Sequence, residues 1–417
     1  MASAPSGTLV VGAGQAGLSL VTRLRDLGDD QAITLAGDEP APPYERPLLS
    51  KTYLRGEHDR SSLFLREPGW FEAQQIDLVT GDEVVAIDRD AAGGTARTAS
   101  GRSIGFARLA LTTGAASRPI VVEGADLDGV VSLRSLTESD DLARRLRAAR
   151  DVVVVGGGFI GLEVAASAQA LGCRVTVVEL TEHLMGRAVT PELSRFYRDA
   201  HERRGTTVVL GTGLARLDGR DGAVTAAVLT DGTLVAADVV VVGVGAAPRT
   251  RLASRLGLDV NPQGIVVDRQ ARTSDGVTVA AGDCAVGPNP FLRGLTGPTR
   301  LESVAHADDQ SRTAAATLLG QNAAYDAVPW FWSDQGELRL QIAGLSMGAD
   351  LSVLRGDPAS ETFSVLSFRG GLLIAAECVG ASADYVAAKR GLEKGMTVDP
   401  DAAADLTVPL KRLLVPA

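Results

Sequence analysis

The chain has 417 residues, of which 45% are hydrophobic and 4% aromatic, and it carries a formal net charge of −10. Because a single hydrophobic core rarely grows this large, we expect two or three domains. The acidic balance argues against a nucleic acid partner, and no apolar run reaches the length that spans a bilayer.

The first predicted strand, TLVV, leads into the glycine-rich turn GAGQAG, which begins at Gly12. In this G-x-G-x-x-G pattern Gly12 permits the tight turn, Gly14 lets the backbone approach a pyrophosphate, and Gly17 packs the helix on the strand. The helix points its unpaired N–H groups at the phosphates. Asp38 follows about 20 residues later and would bind a ribose. These residues predict a dinucleotide site.

The same pattern recurs further along the chain. The run DVVVV leads into GGGFIG, in which Gly156, Gly158 and Gly161 take the same three roles. A carboxylate at Glu179 would repel the 2′-phosphate of NADPH and so favours NADH, although Arg187 lies near enough in sequence to weaken this preference. Two such turns predict two dinucleotides that exchange electrons. The alternative is that one of them is only a structural turn.

The predicted elements place one nucleotide-binding domain inside another. The runs LALTTG and DVVVVGVG, which ends at Gly245, are typical of strands that end in tight turns over a cofactor. Strand patterns at 338–342, 362–368 and 372–378 precede a helix near 381–394. We predict an α/β chain with a discontinuous first domain (1–118 and 244–323), an inserted domain (119–243) and a small α+β domain (324–417).

The cysteines and the N-terminus indicate a reduced compartment. Cys173, Cys284 and Cys378 lie far apart without C-x-x-C spacing, so we interpret them as buried packing residues. No cationic stretch followed by an apolar core marks a secretory signal. We therefore expect a cytoplasmic protein with no membrane partner, and the cysteine spacing predicts no metal site.

Several segments, in order along the chain, resemble the FAD-dependent ferredoxin reductases. Besides the two glycine turns these are PYERPLLSK at residues 43–51, AGD at 281–283 and WFWSDQ at 330–335. The chain is similar to the putidaredoxin reductase and rhodocoxin reductase type, and to ring-dioxygenase ferredoxin reductases, from Leu9 to Lys411. The resemblance implies a glutathione-reductase-like architecture of two doubly wound domains, with FAD in the first and NADH in the inserted one.

The resemblance also implies which residues hold FAD. They are Ala16 in the phosphate turn, Asp38 on the adenosine ribose, Arg46, Lys51, Val84, Arg134, Asp283 and Val304. Val304 would begin a helix whose N–H groups face the flavin, where negative charge develops on reduction. The chain departs from the family pattern at Leu48, Thr112, Arg249 and His306. For His306, a flavin contact and a core-packed or solvated histidine both stay open.

Lys51 has support from composition as well as from the resemblance. The 41 basic residues include only four lysines, namely Lys51, Lys389, Lys394 and Lys411. A compact ammonium donates to a single atom in a tight site, whereas guanidinium is a broad planar fork. We predict that Lys51 lies near the flavin N5, where the hydride arrives, and pairs with Glu163. The alternatives are a surface lysine and a glutamate that partners only a helix dipole.

The electron acceptor is predicted from missing cysteines. Residues 40–60 contain no cysteine, whereas relatives that reduce disulfides or peroxides keep a reactive thiol there. The resemblance therefore implies an outside acceptor, a two-iron two-sulfur ferredoxin of a monooxygenase or ring-dioxygenase system. Trp332 either lies along the electron exit or packs in the core. An NADH oxidase or diaphorase using oxygen or quinone, and a redox sensor resembling apoptosis-inducing factor, remain alternatives.

An acidic ferredoxin would dock on basic side chains of this acidic protein. The docking candidates are Arg66, Arg312, Lys389, Arg390 and Lys411, each of which has an ordinary surface charge as its alternative. Charge attraction predicts that salt weakens reduction of the ferredoxin but not of a small dye. We expect a monomer or weak dimer.

Overall fold

The computed structural model describes residues 6–67, 69–90, 93–292, 295 and 297–417, which divide into two compact units. Unit 1 comprises Met1–Glu45, Ser61–Ala116 and Ala247–Ala327, and unit 2 comprises Arg46–Arg60, Ser117–Ala246 and Val328–Ala417. Unit 2 thus holds all of the predicted inserted domain and most of the predicted C-terminal domain. The boundaries among three domains stay a prediction.

A parallel five-stranded sheet forms the centre of unit 1. Its strands lie in the order Val279–Ala280, Arg108–Leu111, Thr8–Val11, Ile33–Ala36 and Ile76–Val79. Every residue of the first predicted strand is buried, as expected for a parallel strand covered on both faces. The strand Val279–Ala280, directly before the AGD segment at 281–283, has only two residues.

Smaller elements complete unit 1. An antiparallel sheet consists of Val84–Asp90, Gly93–Thr98 and Ser103–Phe106, and a mixed sheet consists of Val260–Asn261, Gly264–Val266 and Ala285–Val286. The helices are Gln15–Asp26, Trp70–Ala73, Arg251–Arg255 and Val304–Leu318, with a 3-10 turn at Pro290–Leu292. Where the chain passes between the units it forms the strands Ala115–Ser117 and Ala246–Pro248 and the 3-10 turn Arg60–Leu63.

Unit 2 contains a second parallel five-stranded sheet. Its strands lie in the order Thr207–Val209, Arg174–Val178, Asp151–Val155, Val239–Val242 and Val130–Ser132. Val155 is in register with both Val178 and Val242, so three strands end at the same edge. Ligands of open α/β sheets bind at this carboxyl edge. The main helices beside this sheet in sequence are Leu136–Ala148, Phe159–Ala170 and Pro191–Arg203.

The C-terminal part of unit 2 is α+β, as predicted. Its antiparallel sheet has the order Trp330–Gln335, Leu338–Gly344, Leu372–Val379, Thr362–Arg369 and Leu351–Asp357. The helix predicted near 381–394 is confirmed as Ser382–Glu393. The remaining elements of unit 2 are the strands Leu214–Arg220, Ala223–Leu229, Leu234–Ala236, Met396–Val398 and Leu414–Pro416, the helices Thr52–Arg55, Pro400–Ala403 and Leu410–Leu413, and the 3-10 turns Arg46–Leu48 and Pro358–Ser360.

The predicted fold class, two parallel α/β sheets and a small α+β part, is confirmed. Among the described residues, no helix combines the length and the apolar character needed to cross a bilayer.

Candidate functional site

The glycine turn of unit 1 forms an open cradle at the start of a helix. Gly12 has a φ of +118°, and a Cβ there would lie 2.0 Å from the carbonyl oxygen of Thr112. A Cβ on Gly17 would lie 2.0 Å from the Gly12 oxygen, whereas one on Gly14 would meet no atom within 4 Å. None of the described side chains caps the helix Gln15–Asp26. Its first N–H groups are therefore available, and they fit a pyrophosphate.

Asp38, the acid assigned to a ribose, has an ion-pair partner within unit 1. Arg249 Nη1 donates to Asp38 Oδ2 over 2.5 Å, and both side chains are exposed. Thr113 Oγ1 donates to the Arg249 carbonyl oxygen at 2.6 Å. The two residues are 211 positions apart, so nothing in the sequence indicates that they form a pair. In the sequence Arg249 stands out only as a departure from the family pattern. An exposed ion pair is weak, so a ribose hydroxyl can compete for the carboxylate.

The other residues of unit 1 assigned to FAD lie on separate elements. Ala16, in the glycine turn, and Val84, at the start of a strand, are buried. Gly282 has a φ of +79°, and a Cβ there would lie 2.9 Å from the Ala16 Cβ. The AGD segment therefore passes close to the first helix, and the half-buried Asp283 follows directly.

His306 lies in the first turn of the helix that begins at Val304. Ser303 caps this helix by accepting a hydrogen bond from the His306 N–H at 3.1 Å. The imidazole is buried, and its Nδ1 lies 3.0 Å from the Tyr325 hydroxyl. Burial lowers the pKa of His306 to about 4, so the ring is neutral at physiological pH. The imidazole is thus packed in the interior of unit 1.

The second glycine turn repeats the same geometry in unit 2. Gly156 has a φ of +108°, and a Cβ there would lie 2.4 Å from the Gly243 carbonyl oxygen. A Cβ on Gly161 would lie 2.2 Å from the Gly156 oxygen, whereas one on Gly158 would meet no atom within 4 Å. The helix Phe159–Ala170 begins at this turn with no side-chain cap among the described residues. Its N–H donors fit a second pyrophosphate.

Glu179 is bound to the second glycine turn. Its Oε2 accepts from the Gly157 N–H at 2.8 Å, and its Oε1 accepts from the N–H and the hydroxyl of Thr181 at 2.9 and 2.8 Å. A carboxylate is thereby fixed beside the turn. Arg187 is exposed, and its Nη2 would lie 3.6 Å from a Cβ placed on Gly245. Arg187 is thus close to Gly245, and the preference for NADH over NADPH stays a prediction.

Lys51 and Glu163 form a buried ion pair in unit 2. Lys51 Nζ lies 2.9 Å from Glu163 Oε1 and donates to the Pro47 carbonyl oxygen at 3.1 Å. Lys51 is 7% exposed and Glu163 2%. Burial raises the pKa of Glu163, while the Lys51 ammonium and the hydroxyls of Ser333 and Ser50 oppose that rise. Two of the three ammonium protons are used by described residues, which leaves one for a ligand.

Serine hydroxyls from two helices hold the loop that carries Lys51. Ser139 Oγ donates to the Leu49 carbonyl oxygen at 2.8 Å, and Ser167 Oγ donates to the Ser50 carbonyl oxygen at 2.7 Å. The Ser50 hydroxyl donates to Glu163 Oε2 at 2.6 Å. The loop that carries the ammonium is therefore held through the carbonyl groups of the two residues that precede Lys51.

Arg46 and Arg134, both assigned to FAD, are neighbours in unit 2. Arg46 Nη1 donates to the Arg134 carbonyl oxygen at 2.8 Å. Ser135 and Glu138 form a capping box at the start of the next helix, and Glu138 Oε2 also accepts from the Arg134 N–H at 2.9 Å. Both the N–H and the carbonyl oxygen of Arg134 are thus held by hydrogen bonds, which fixes its backbone. A fixed backbone suits a residue that would bind phosphate.

Trp332 stacks on Trp330 within the first strand of the C-terminal sheet. Their ring centroids lie 5.6 Å apart with planes 27° from parallel, and both rings are half-buried. Lys389 Nζ lies 5.7 Å from the Trp330 centroid and donates to Glu393 at 3.0 Å. Trp332 is therefore part of an aromatic pair that is neither fully buried nor fully exposed.

The other docking candidates have varied surroundings. In unit 1, the Arg66 guanidinium lies 5.0 Å from the ring centroid of Trp70, and Arg312 has an ion-pair partner one helical turn earlier. In unit 2, Arg390 and Lys411 are exposed. Their role in docking stays a prediction.

The cysteines are free and buried, as predicted. Burial raises the pKa of the Cys173 and Cys284 thiols and raises that of Cys378 to about 12. Buried thiols of this kind are chemically inert. Within the described ranges, no three side chains of His, Cys, Asp or Glu gather as metal ligands.

Comparison with known proteins gives consistent similarities. The sequence profile described as Pyridine nucleotide-disulphide oxidoreductase matches residues 7–311, and that of Reductase C-terminal matches 330–414. Rhodocoxin reductase of Rhodococcus erythropolis is 43% identical, over 97% of this chain and 93% of its own. The ferredoxin reductase for the CYP199A2 system from Rhodopseudomonas palustris superposes with a TM-score of 0.93 at 41% identity, over 97% of this chain and 98% of its own. The covalent putidaredoxin reductase–putidaredoxin complex also gives 0.93, at 36% identity over 99% and 98%.

Proposed function

Because the chain belongs to the pyridine nucleotide-disulphide oxidoreductase family, we propose that it is an NADH:ferredoxin oxidoreductase that contains FAD. Its acceptor would be a two-iron two-sulfur ferredoxin that serves a monooxygenase or ring dioxygenase. The observation that carries the proposal is the buried Lys51–Glu163 pair, because a single oriented cation in an enclosed site suits hydride transfer. The two open glycine turns provide for both dinucleotides.

The mechanism assigns a separate task to each group of residues. FAD, when bound, supplies a ring that takes up a hydride and gives up electrons singly. The N–H groups after Gly14 would hold its pyrophosphate, and those after Gly158 would hold that of NADH. Lys51 would orient the reacting rings, and Glu163 keeps its ammonium in place. The helix that begins at Val304 would stabilise negative charge through its N-terminus.

The proposed electron acceptor follows from the lack of a reactive thiol near the candidate site. The segment 40–60 has no cysteine, and the three cysteines elsewhere are buried with raised pKa values. A disulfide relay therefore has no thiol to use. Among the similar structures, one reductase is covalently joined to putidaredoxin, which supports a protein acceptor.

The test of this function is anaerobic reduction by NADH followed by mixing with a panel of two-iron ferredoxins. We expect the flavin absorbance to bleach with NADH and to recover as a ferredoxin is reduced. Failure to reduce any ferredoxin at low salt contradicts the proposal. NADPH in place of NADH tests the effect of Glu179, and we expect a lower kcat/KM for NADPH.

Docking is tested separately by salt and by charge removal. Glutamine substitutions at Arg66, Arg312, Lys389, Arg390 and Lys411 should slow ferredoxin reduction and reduce its salt dependence. Reduction of ferricyanide by the same variants is the control, since a small dye needs no docking surface. Equal effects on both acceptors would show that these cations do not guide the ferredoxin.

A further inference from the structure

A chain of buried polar side chains extends from Glu163 Oε1, the same carboxylate oxygen that Lys51 contacts. Ser333 Oγ donates to Glu163 Oε1 at 2.6 Å, and Gln335 Nε2 donates to Ser333 Oγ at 3.4 Å. His201 Nε2 lies 2.8 Å from Gln335 Oε1. All three of these partners are at most 3% exposed. Such deeply buried polar groups persist only when they are hydrogen-bonded.

The direction of each hydrogen bond follows from the groups involved. The Ser333 hydroxyl donates to Glu163 Oε1 and accepts from the Gln335 amide. The second amide N–H of Gln335 points at Met185 Sδ, at 3.6 Å. The Gln335 oxygen must therefore accept from His201, which assigns the imidazole proton to Nε2. Every donor in the chain thus points toward Glu163.

Hydrogen bonds aligned in one direction polarise one another, so the distant donors strengthen the bond that reaches the carboxylate. Burial lowers the pKa of His201, which agrees with a neutral ring at the end of the chain. The charged and titratable groups that act on these side chains are Lys51 and Tyr197 at Glu163 and Arg204 at His201. Of these, Lys51 makes the direct contact with Glu163. The charge of Lys51 and the aligned donors favour the ionised carboxylate, and so they counteract the rise in the Glu163 pKa that burial causes.

We infer that Ser333, Gln335 and His201 are positioning residues that keep Glu163 ionised and directed at Lys51. This inference rests on the proposed function, because the oriented ammonium matters for hydride transfer from NADH. A neutral Glu163 would release Lys51 from its charge partner, so flavin reduction should slow below the pH at which Glu163 takes up a proton. The three positioning residues therefore set the acid limb of the reaction, which is the low-pH side of the plot of flavin-reduction rate against pH.

The FAD-loaded protein tests this with two variants and a matched control. Ser333→Ala removes a hydrogen bond to a charged group, so we expect the acid limb of flavin reduction by NADH to move up by about one to two pH units. Gln335→Met removes only the hydrogen bond that Gln335 donates to Ser333, so it should move the acid limb in the same direction but by less. Ser367→Ala removes a buried hydroxyl of the same sheet that has no hydrogen-bond partner among the described residues, and it should leave the limb in place.

Infrared spectroscopy of the resting protein gives a readout that does not depend on turnover. The C=O band of a protonated carboxyl should appear at higher pH in Ser333→Ala than in the wild type, and its loss in Glu163→Gln assigns it. This assignment is needed because Glu377 is a second buried carboxyl.

Each outcome of these measurements decides one claim. The inference would be overturned if the acid limb of flavin reduction had the same midpoint pH in Ser333→Ala and the wild type. It would also be overturned if Ser367→Ala shifted that midpoint as much as Ser333→Ala does. If Ser333→Ala loses its flavin, the shift in Gln335→Met decides. A wild type that NADH does not reduce would contradict the proposed function, while the infrared titration would still decide whether the chain holds Glu163 ionised.

Discussion

Replacing Lys51 by methionine tests the energetic importance of the buried ion pair. The substitution leaves the Glu163 carboxylate, which is 2% exposed, without its cation. Removing one partner of a buried pair costs about 3–5 kcal/mol. Hydroxyl donors from Ser50 and Ser333, each 2.6 Å from the carboxylate, remain, and protonation of Glu163 limits the cost. We therefore expect a loss of about 3 kcal/mol in unfolding free energy at neutral pH.

The loss should depend on pH because burial raises the pKa of Glu163. A carboxyl whose pKa is raised on folding stabilises the fold below its unfolded pKa, and this contribution is lost as pH rises through the folded pKa. Lys51→Met raises the folded pKa further by removing the cation. The difference from the wild type should therefore be small in acid and should grow toward neutral pH.

Denaturant midpoints at acid and neutral pH measure this effect, with Lys389→Met as the matched control. Lys389 forms a partly exposed ion pair with Glu393 at 3.0 Å, so its loss should cost about 0.5 kcal/mol or less. In the double variant Lys51→Met/Glu163→Gln, most of the stability should return, because no charge stays buried. Equal losses for the two lysine variants, or a loss that does not change with pH, would refute the reasoning.

Glycine substitutions should separate cofactor binding from folding: Gly14→Ala should fold but bind FAD weakly, whereas Gly17→Ala should fold poorly because its Cβ would lie 2.0 Å from a backbone oxygen. The FAD content of the folded fraction checks this, and normal FAD content in Gly14→Ala would contradict it. Cys378, whose pKa burial raises to about 12, should resist maleimide in the folded protein, and rapid native labelling would refute that. Burial also raises the pKa of Glu377 to about 7, so its contribution to stability is present in acid and is lost as pH rises through that value. Glu377→Gln should flatten the pH dependence of the denaturant midpoint across this range, and an unchanged slope would argue against it.

The sequence predicts the parallel sheets because their strands are nearly continuous valine and leucine runs. Such runs are buried on both faces and are followed directly by glycines that only a tight turn explains, as at Gly12 and Gly156. Elements with few residues are predicted less well. The strand directly before the AGD segment contributes only Val279–Ala280, because the chain bends at Gly282, where φ is +79°.

Beyond the contact between Lys51 and Glu163, the network around Glu163 could not be predicted from the sequence. The sequence drew attention to Trp332, but the adjacent Ser333 makes the contact with Glu163, across 170 residues of sequence. Successive residues of a strand point to opposite faces, so Ser333 and Gln335 are buried while Trp332 is half-buried. A serine or glutamine in a strand gives no sign of its distant partner. The Asp38–Arg249 pair is hidden for the same reason.

Aerobic competition between oxygen and a ferredoxin tests the central claim most directly. Reduced ferredoxin and oxygen consumption are followed together in one stopped-flow experiment with NADH and a two-iron ferredoxin that the protein reduces. We expect most electrons to appear in the ferredoxin at low salt, with oxygen consumption falling as ferredoxin is added. Rapid oxygen consumption that ferredoxin does not change would contradict the claim and identify an NADH oxidase instead.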